Sequence, residues 1–237
     1  MATTNNILLI VGAGPGISNS VAHHFADQRF TSIVLIARST GSVERTKQSL
    51  QSTFASKNLN ITTHALDIAN QSDLRKTLTQ ISSQGQIECI LFNAARVRMA
   101  PFFEDTTDEI AYDFAITNLA LYEVAKWAMP QLISLAESAN DQEARPSLIV
   151  TNSLLPQYPI PALFSLSLTK AAQRNMVQSL SMDYAGKGVN VALVSIGGRV
   201  DEAMNTLNPK TIAARIWAIY RRQKGDYRWD TEIMEGI

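Results

Sequence analysis

The sequence predicts a doubly wound parallel α/β sheet of about seven strands with helices on both faces. Three observations carry this reading. Short apolar runs recur without the in-out alternation of a half-exposed sheet, as strands buried on both faces require. Each run is followed by a stretch with apolar residues at helical spacing. At 7–18 the run Ile-Leu-Leu-Ile-Val passes into Gly12, Gly14 and Gly16 and then into a helical pattern, a strand, tight turn and helix in succession. Residues without a Cβ let backbone approach a diphosphate, and the unpaired N–H groups at the positive end of the helix favour an anion there.

Taken in order, the strand at 7–11 leads to an amphipathic helix over 21–30 and a second buried strand, S-I-V-L-I-A, at 32–37. A helix with a polar outer face is predicted over 43–57, and a third strand over 61–66 ends at Asp67. Asn70 opens a helix to Ser82, its amide suited to cap the first turn. The fourth strand is 87–92. Thr106 or Thr107 caps a long helix over 108–138, followed by a polar loop at 139–146 and a fifth strand at 147–151. A helix over 165–184 stops at Gly186 and Gly188, and the sixth strand is 189–196. Pro209 begins the last helix, to Gln223, and a short strand at 231–234 completes the pattern.

At 237 residues and 46% hydrophobic content, the chain suits a single α/β domain over 1–237 better than two. Basic and acidic residues both number 21, so no net field gathers nucleic acid or anionic lipid, and a small-molecule partner is expected. Cys89, the only cysteine, lies in the apolar run 87–92, which predicts a buried, inert thiol and excludes an internal disulfide. His23, His24 and His64 lack metal-ligand spacing, so no metal site is expected. Trp127, Trp217 and Trp229 read as packing residues. The start, M-A-T-T-N-N, has no basic stretch before an apolar run too short for a signal core or a span. The expectation is a soluble, cytoplasmic protein with no membrane partner.

In a doubly wound sheet, ligands bind outside the carboxyl ends of the strands. The residues there are Gly12 to Ile17, Arg38, Asp67 and Ile68, Asn93 to Ala95, Ser153, and Gly197 to Val200. An acidic residue after the second strand would take the ribose hydroxyls of NAD. This chain has Arg38, Ser39 and Thr40 instead, a cation and hydroxyls suited to a 2′-phosphate, so NADP(H) is the expected cofactor.

Over essentially its whole length the chain resembles the short-chain dehydrogenase/reductase family, whose fold is the Rossmann fold. In the family's T-G-x-x-x-G-x-G turn, Val11, Gly12, Gly16 and Ser18 hold the four fixed positions. Asp67 matches the family's adenine-binding Asp, and Phe92, Asn93, Ala94 and Ala95 match its Asn-Asn-Ala-Gly. Asn118 resembles the asparagine that organises a proton-relay water. Ser153 matches the serine after strand five, and Lys170 matches the lysine of Tyr-x-x-x-Lys, which also binds the cofactor ribose. The resemblance thus implies catalytic roles for Asn118, Ser153 and Lys170. It implies cofactor contacts from Gly12, Gly14, Gly16, Ile17, Arg38, Asp67, Ile68, Asn93, Ala94, Lys170 and Val200. It also implies pairing of the 108–138 and 165–184 helices between subunits, giving a homodimer or homotetramer.

The family's tyrosine position is Leu166 here, four residues before Lys170. In the family that phenol is the general acid that protonates the developing alkoxide, and leucine donates nothing. Tyr158, in the loop 154–162, is the nearest substitute in sequence, although an aromatic before proline also reads as loop packing. Ser153 donating directly is the other route. The expected activity is NADP(H)-dependent reduction of a carbonyl or imine with a modified proton donor. The alternatives are a non-redox isomerase, dehydratase or cyclase on the same scaffold, and a noncatalytic nucleotide-binding subunit. The segment 197–207, where the family carries a helical substrate lid, is short and polar, which predicts an open site.

Overall fold

Seven strands form one sheet in the order β3-β2-β1-β4-β5-β6-β7, and every neighbouring pair is parallel. The computed structural model describes residues 6–138 and 143–236. Most of the N-terminal stretch, the first four positions of the predicted loop 139–146 and the last residue therefore lie outside the described residues.

The strands are β1 Asn6–Val11, β2 Ser32–Ala37, β3 Asn60–Ala65, β4 Gln86–Phe92, β5 Ser147–Ser153, β6 Asn190–Ile196 and β7 Asp230–Ile233. The helices are α1 Ile17–Gln28, α2 Thr40–Thr53, α3 Gln71–Ser82, α4 Thr107–Phe114, α5 Ala120–Glu137, α6 Phe164–Tyr184 and α7 Pro209–Tyr220. Successive strand residues point to opposite faces, so Leu8 and Ile10 join α1, α2 and α7 in one core layer. Ile7, Leu9 and Val11 join α3, α5 and α6 in the other. Helices cover both faces of the sheet, which is why strands such as β2 are buried at every position. Cys89 and the largest aromatic cluster, Phe25, Phe30, Trp217 and Tyr220, sit in the first layer.

Several element ends differ from expectation, and local capping explains them. Helix α1 begins at Ile17, four residues earlier than apolar periodicity indicates, because Gly16 ends the turn directly at the helix. Helix α2 starts where the Ser39 side chain accepts from Ser42 N–H and stops at Thr53, with Phe54 as its C-cap. The predicted 108–138 helix is interrupted: between α4 and α5, residues Ala115–Leu119 form a π turn. Such a turn holds one extra residue without breaking the apolar face, and it commonly marks a functional site. Helix α7 ends at Tyr220 rather than Gln223.

The amino-end side of the sheet is held by Glu88, fully buried on β4. Its carboxylate accepts from Asn6 Nδ2 at 2.7 Å, Arg29 Nε at 3.0 Å and the Arg145 backbone N–H at 3.0 Å, and also from the Tyr220 hydroxyl. Burial, and then the adjacent carboxylate, push the Tyr220 phenol well up. Removing one member of a buried ion pair leaves its partner uncompensated. Glu88→Ala is therefore expected to lower unfolding free energy by about 3–5 kcal/mol, read from urea denaturation; an unchanged midpoint would remove this cluster from the list of stabilising features.

Candidate functional site

The turn after β1 is packed against the end of β4. Gly12 has φ +90, and a Cβ there would stand 2.6 Å from Ala94 N and 2.8 Å from Asn93 C, closer than any side chain fits. Gly12 N–H and Ala13 N–H both donate to Ile36 O, at 2.9 and 2.8 Å, tying the turn to β2. Gly14 N–H donates to Ser18 Oγ at 2.9 Å. Gly16, with φ +86, faces open space and caps α1 with no side chain bonded to the first-turn donors. Two different needs therefore share one turn. Gly12 serves packing, whereas Gly16 leaves backbone accessible beside the positive end of a helix.

Two clefts meet at Asn93. The first, of about 460 Å³, is lined by Gly12, Arg38, Asp67, Ile68, Asn93, Ala94 and Arg96, among others. The second, of about 600 Å³, is lined by Pro15, Gly16, Ile17, Asn93, Val200, Asp201, Glu202 and Pro209. Asn93 is fixed between strands: its Oδ1 accepts from Thr151 Oγ1 at 2.8 Å and its Nδ2 donates to Gly12 O at 3.4 Å. Asp67 accepts Ala69 N–H at 3.0 Å on one oxygen and the Tyr112 hydroxyl at 2.7 Å on the other. That second bond holds the Tyr112 phenol above its ordinary range. Arg96 lies over the Tyr112 ring, 5.0 Å from its centroid, and pairs with Asp113 at 2.6 Å and with Glu109. Ser165 Oγ donates to the other Asp113 oxygen at 2.6 Å, joining this wall to α6.

Behind the clefts a neutral polar network joins β5, α6 and the π turn. Lys170, 6% exposed, donates from Nζ to Thr151 O and to Gln173 Oε1, both at 2.9 Å. Gln173 Nε2 donates to Thr117 O in the π turn at 3.1 Å. Asn152 Nδ2 donates to Lys170 O at 3.1 Å and to Gln173 Oε1 at 3.3 Å, while its Oδ1 receives Ser153 N–H at 2.7 Å. Burial without a counter-charge pushes the Lys170 amine down to about 7. Ser153 Oγ receives Leu155 N–H at 3.3 Å. Leu166 is buried one turn before Lys170.

The structure thus brings the expected nucleotide residues Gly12, Arg38, Asp67, Ile68, Asn93 and Ala94 to one cleft, and Gly16, Ile17 and Val200 to its neighbour. Ser153 and Lys170 meet through Asn152. Lys170 lines neither cleft, because its amine is drawn inward. Tyr158 also lines neither: it is 72% exposed, in a turn whose N–H donates to Leu154 O at 2.8 Å. Asn118 is buried at 4% exposure, but neither amide atom has a hydrogen-bond partner among the described residues. The π turn gives its neighbour's carbonyl, Thr117 O, to Gln173 instead.

Sequence reasoning missed Tyr112, Asn152 and Gln173. A signal existed for Gln173, since it stands three residues after Lys170 and so on the same helix face. Tyr112 and Asn152 act across elements, which spacing does not reveal.

An adenine dinucleotide fits the chain's own groups. Gly16 is open, the first turn of α1 has free donors, and Arg38 is exposed beside the Tyr112 hydroxyl. One feature opposes it: Asp201 and Glu202 line the cleft that contains Gly16. Asp201 is partly answered by Arg199, 3.8 Å away.

The short chain dehydrogenase family pattern matches residues 6–211. A Drosophila melanogaster dehydrogenase/reductase SDR family protein 7-like is 22% identical over 93% of this chain and 71% of its own length. Among solved structures, a metagenomic short-chain oxidoreductase in complex with NADP superposes with TM-score 0.84 over 100% of both chains at 15% identity. An NADPH-bound short chain oxidoreductase from Pseudomonas aeruginosa PAO1 containing an atypical catalytic center gives 0.80 over 98% and 96% at 18% identity. These structures share the fold. Because the family pattern itself runs from the first strand into the last helix, this chain belongs to the short-chain dehydrogenase/reductase family of oxidoreductases.

Proposed function

We propose that this protein is an NADP(H)-dependent reductase of a carbonyl or imine in a small organic substrate, working without the usual phenol. The observation that carries this reading is the hydrogen-bonded connection of Ser153, Asn152, Lys170 and Gln173 at the carboxyl end of β5, which Thr151 ties to Asn93 in the lining of the cleft that holds Arg38. When bound, the nucleotide supplies the hydride. Arg38 holds its 2′-phosphate, Asn93 and the Gly16 turn hold its diphosphate side, and Asp67 takes the adenine. Ser153 Oγ already accepts Leu155 N–H, so its own O–H is the donor to a substrate oxygen or nitrogen. Tyr158 serves as donor in this reading only when its exposed loop closes over the site. Pairing of subunits through α4, α5 and α6 as a homodimer or homotetramer belongs to the same reading, as does a cytoplasmic location. Among the described residues, no helix is long and apolar enough to cross a membrane.

A second reading, non-redox chemistry or nucleotide binding without catalysis, draws on the inward hydrogen bonds of Lys170, which leave its amine away from both clefts. An NADPH-oxidation assay over a carbonyl and imine panel, run with a cofactor titration, separates the two.

Three outcomes are expected. Arg38→Ala weakens NADPH binding by about 1.5–3 kcal/mol, the worth of a charge-assisted bond, and leaves NADH nearly unchanged; equal losses for both nucleotides in fluorescence titration would argue against the 2′-phosphate assignment. Glu202→Gln tightens NADPH binding, because it removes a carboxylate from the cleft around Gly16, and the gain shrinks as salt is raised. No change at low ionic strength would place the diphosphate elsewhere. Leu166→Tyr sets a phenol one helical turn from Lys170 and raises reductase turnover, general acids being worth about 10²–10⁴ in rate, while Tyr158→Phe lowers it if that loop residue donates. Binding of NADPH with no oxidation across the panel, in the parent and in Leu166→Tyr alike, would leave the second reading standing.

A further inference from the structure

Gln173 lies outside every motif that relates the chain to its family, yet it is fully buried and each polar atom of its amide is used. Oε1 accepts from Lys170 Nζ at 2.9 Å and from Asn152 Nδ2 at 3.3 Å, and Nε2 donates to Thr117 O at 3.1 Å. These partners fix which way round the amide sits. Reversed, it would set an NH₂ group against an amine and a second NH₂, and an oxygen against a carbonyl.

Its neutrality is as informative as its geometry. A lysine buried to this extent usually meets a carboxylate, and this one meets a carbonyl and an amide. The elements packed against α6 explain why no charge reaches it. Strands β5 and β6, the π turn and the 3₁₀ turn Pro161–Leu163 carry no charged side chain. On α4, Asp113 and Glu109 hold Arg96, Tyr112 donates to Asp67, and Asp108 completes the titratable set. On α6, Arg174 pairs with Asp230 of β7 and Asp183 with Lys187 of the following 3₁₀ turn, with Tyr184 at the helix end.

We infer that Gln173 is a positioning residue for Lys170: its amide oxygen holds the amine inward against β5, and its amide nitrogen anchors that hold to the π turn at Thr117. The amine thereby keeps a fixed place against Thr151 O without gaining a counter-charge, which is the condition for its lowered titration. The importance of that position rests on the reading of Lys170 as a working residue of the reductase site.

The test uses the full-length protein labelled with ¹³C,¹⁵N-lysine, with the Lys170 side-chain signal identified by its loss in Lys170→Arg. Its titration midpoint is followed by NMR in the parent, Gln173→Glu and Gln173→Met, with thermal melting of each recorded alongside. The parent midpoint is expected near neutrality. Gln173→Glu, which keeps an acceptor but makes it anionic, moves the midpoint up by about one pH unit or more. Gln173→Met, which fills the volume without the bonds, releases the amine, and Lys170 is acylated at least about tenfold faster in a mass-spectrometric labelling assay. A residue that only fills the core would lower the melting temperature and move neither readout. An unmoved midpoint in Gln173→Glu with unchanged labelling in Gln173→Met overturns the inference. So does a parent midpoint at the ordinary lysine value of about 10.4, which decides the matter even where neither variant folds. Neither readout needs nucleotide, so failure of NADPH to bind the parent would strike the proposed function and leave this assignment intact.

Discussion

The site depends on the approach of two strand ends that only a residue without a Cβ permits. At Gly12 the chain leaving β1 passes so close to the backbone of Asn93 and Ala94 that a methyl group would stand 2.6 Å from a peptide nitrogen. Once that contact is made, the Asn93 side chain spans from Gly12 O to Thr151 Oγ1 and fastens the ends of β1, β4 and β5 together. Both clefts open around that fastening. The same close passage brings the turn under β2, where Ile36 O takes two of its N–H groups, and Arg38, at the end of that strand, stands at the cleft edge beside the Tyr112 hydroxyl.

The two ends of the sheet solve the problem of buried polarity in opposite ways. At the amino end, Glu88 is surrounded by donors, one of them the Arg29 guanidinium, so full charge is matched by full charge. At the carboxyl end, Lys170 is surrounded by neutral oxygens. Buried charge is tolerated when it is paired, and without pairing the group shifts toward its uncharged form. The first arrangement is suited to holding α1, β4 and α7 in place. The second leaves an amine that burial pushes down to about 7.

Much of this was legible in the sequence, for reasons that differ by element. Continuous apolar runs identified the strands because both faces of the sheet are covered, and Asn70 and Pro209 marked helix starts through local chemistry that needs no tertiary partner. The π turn at 115–119 was not legible, since one extra residue in a helical turn leaves the apolar stripe almost intact. Asn118 lies among apolar neighbours and is buried, whereas the lack of a partner for its amide among the described residues was not legible, because satisfaction depends on what another element presents. Glu88 and Tyr112 act only across strands and helices distant in sequence, and so does the Asn152 Nδ2 that reaches α6. Tyr158 shows the converse limit: closeness to Ser153 in sequence did not bring its ring to the clefts, because a tight turn and the following proline leave it on the surface.

The absence of the phenol and the presence of Gln173 are best understood together. Leu166, Lys170 and Gln173 follow one another at spacings of four and three, a single stripe on the inner face of α6. A phenol at the first position would offer the lysine a partner above it; leucine offers none, and a buried amine left without partners is costly. Thr151 O and the amide below are the acceptors that the amine has instead, and the other end of the amide donates to Thr117 O in the π turn. It follows that restoring a tyrosine at 166 alone would place it in competition with Gln173 for the same amine, and that the two positions are expected to be energetically coupled rather than additive.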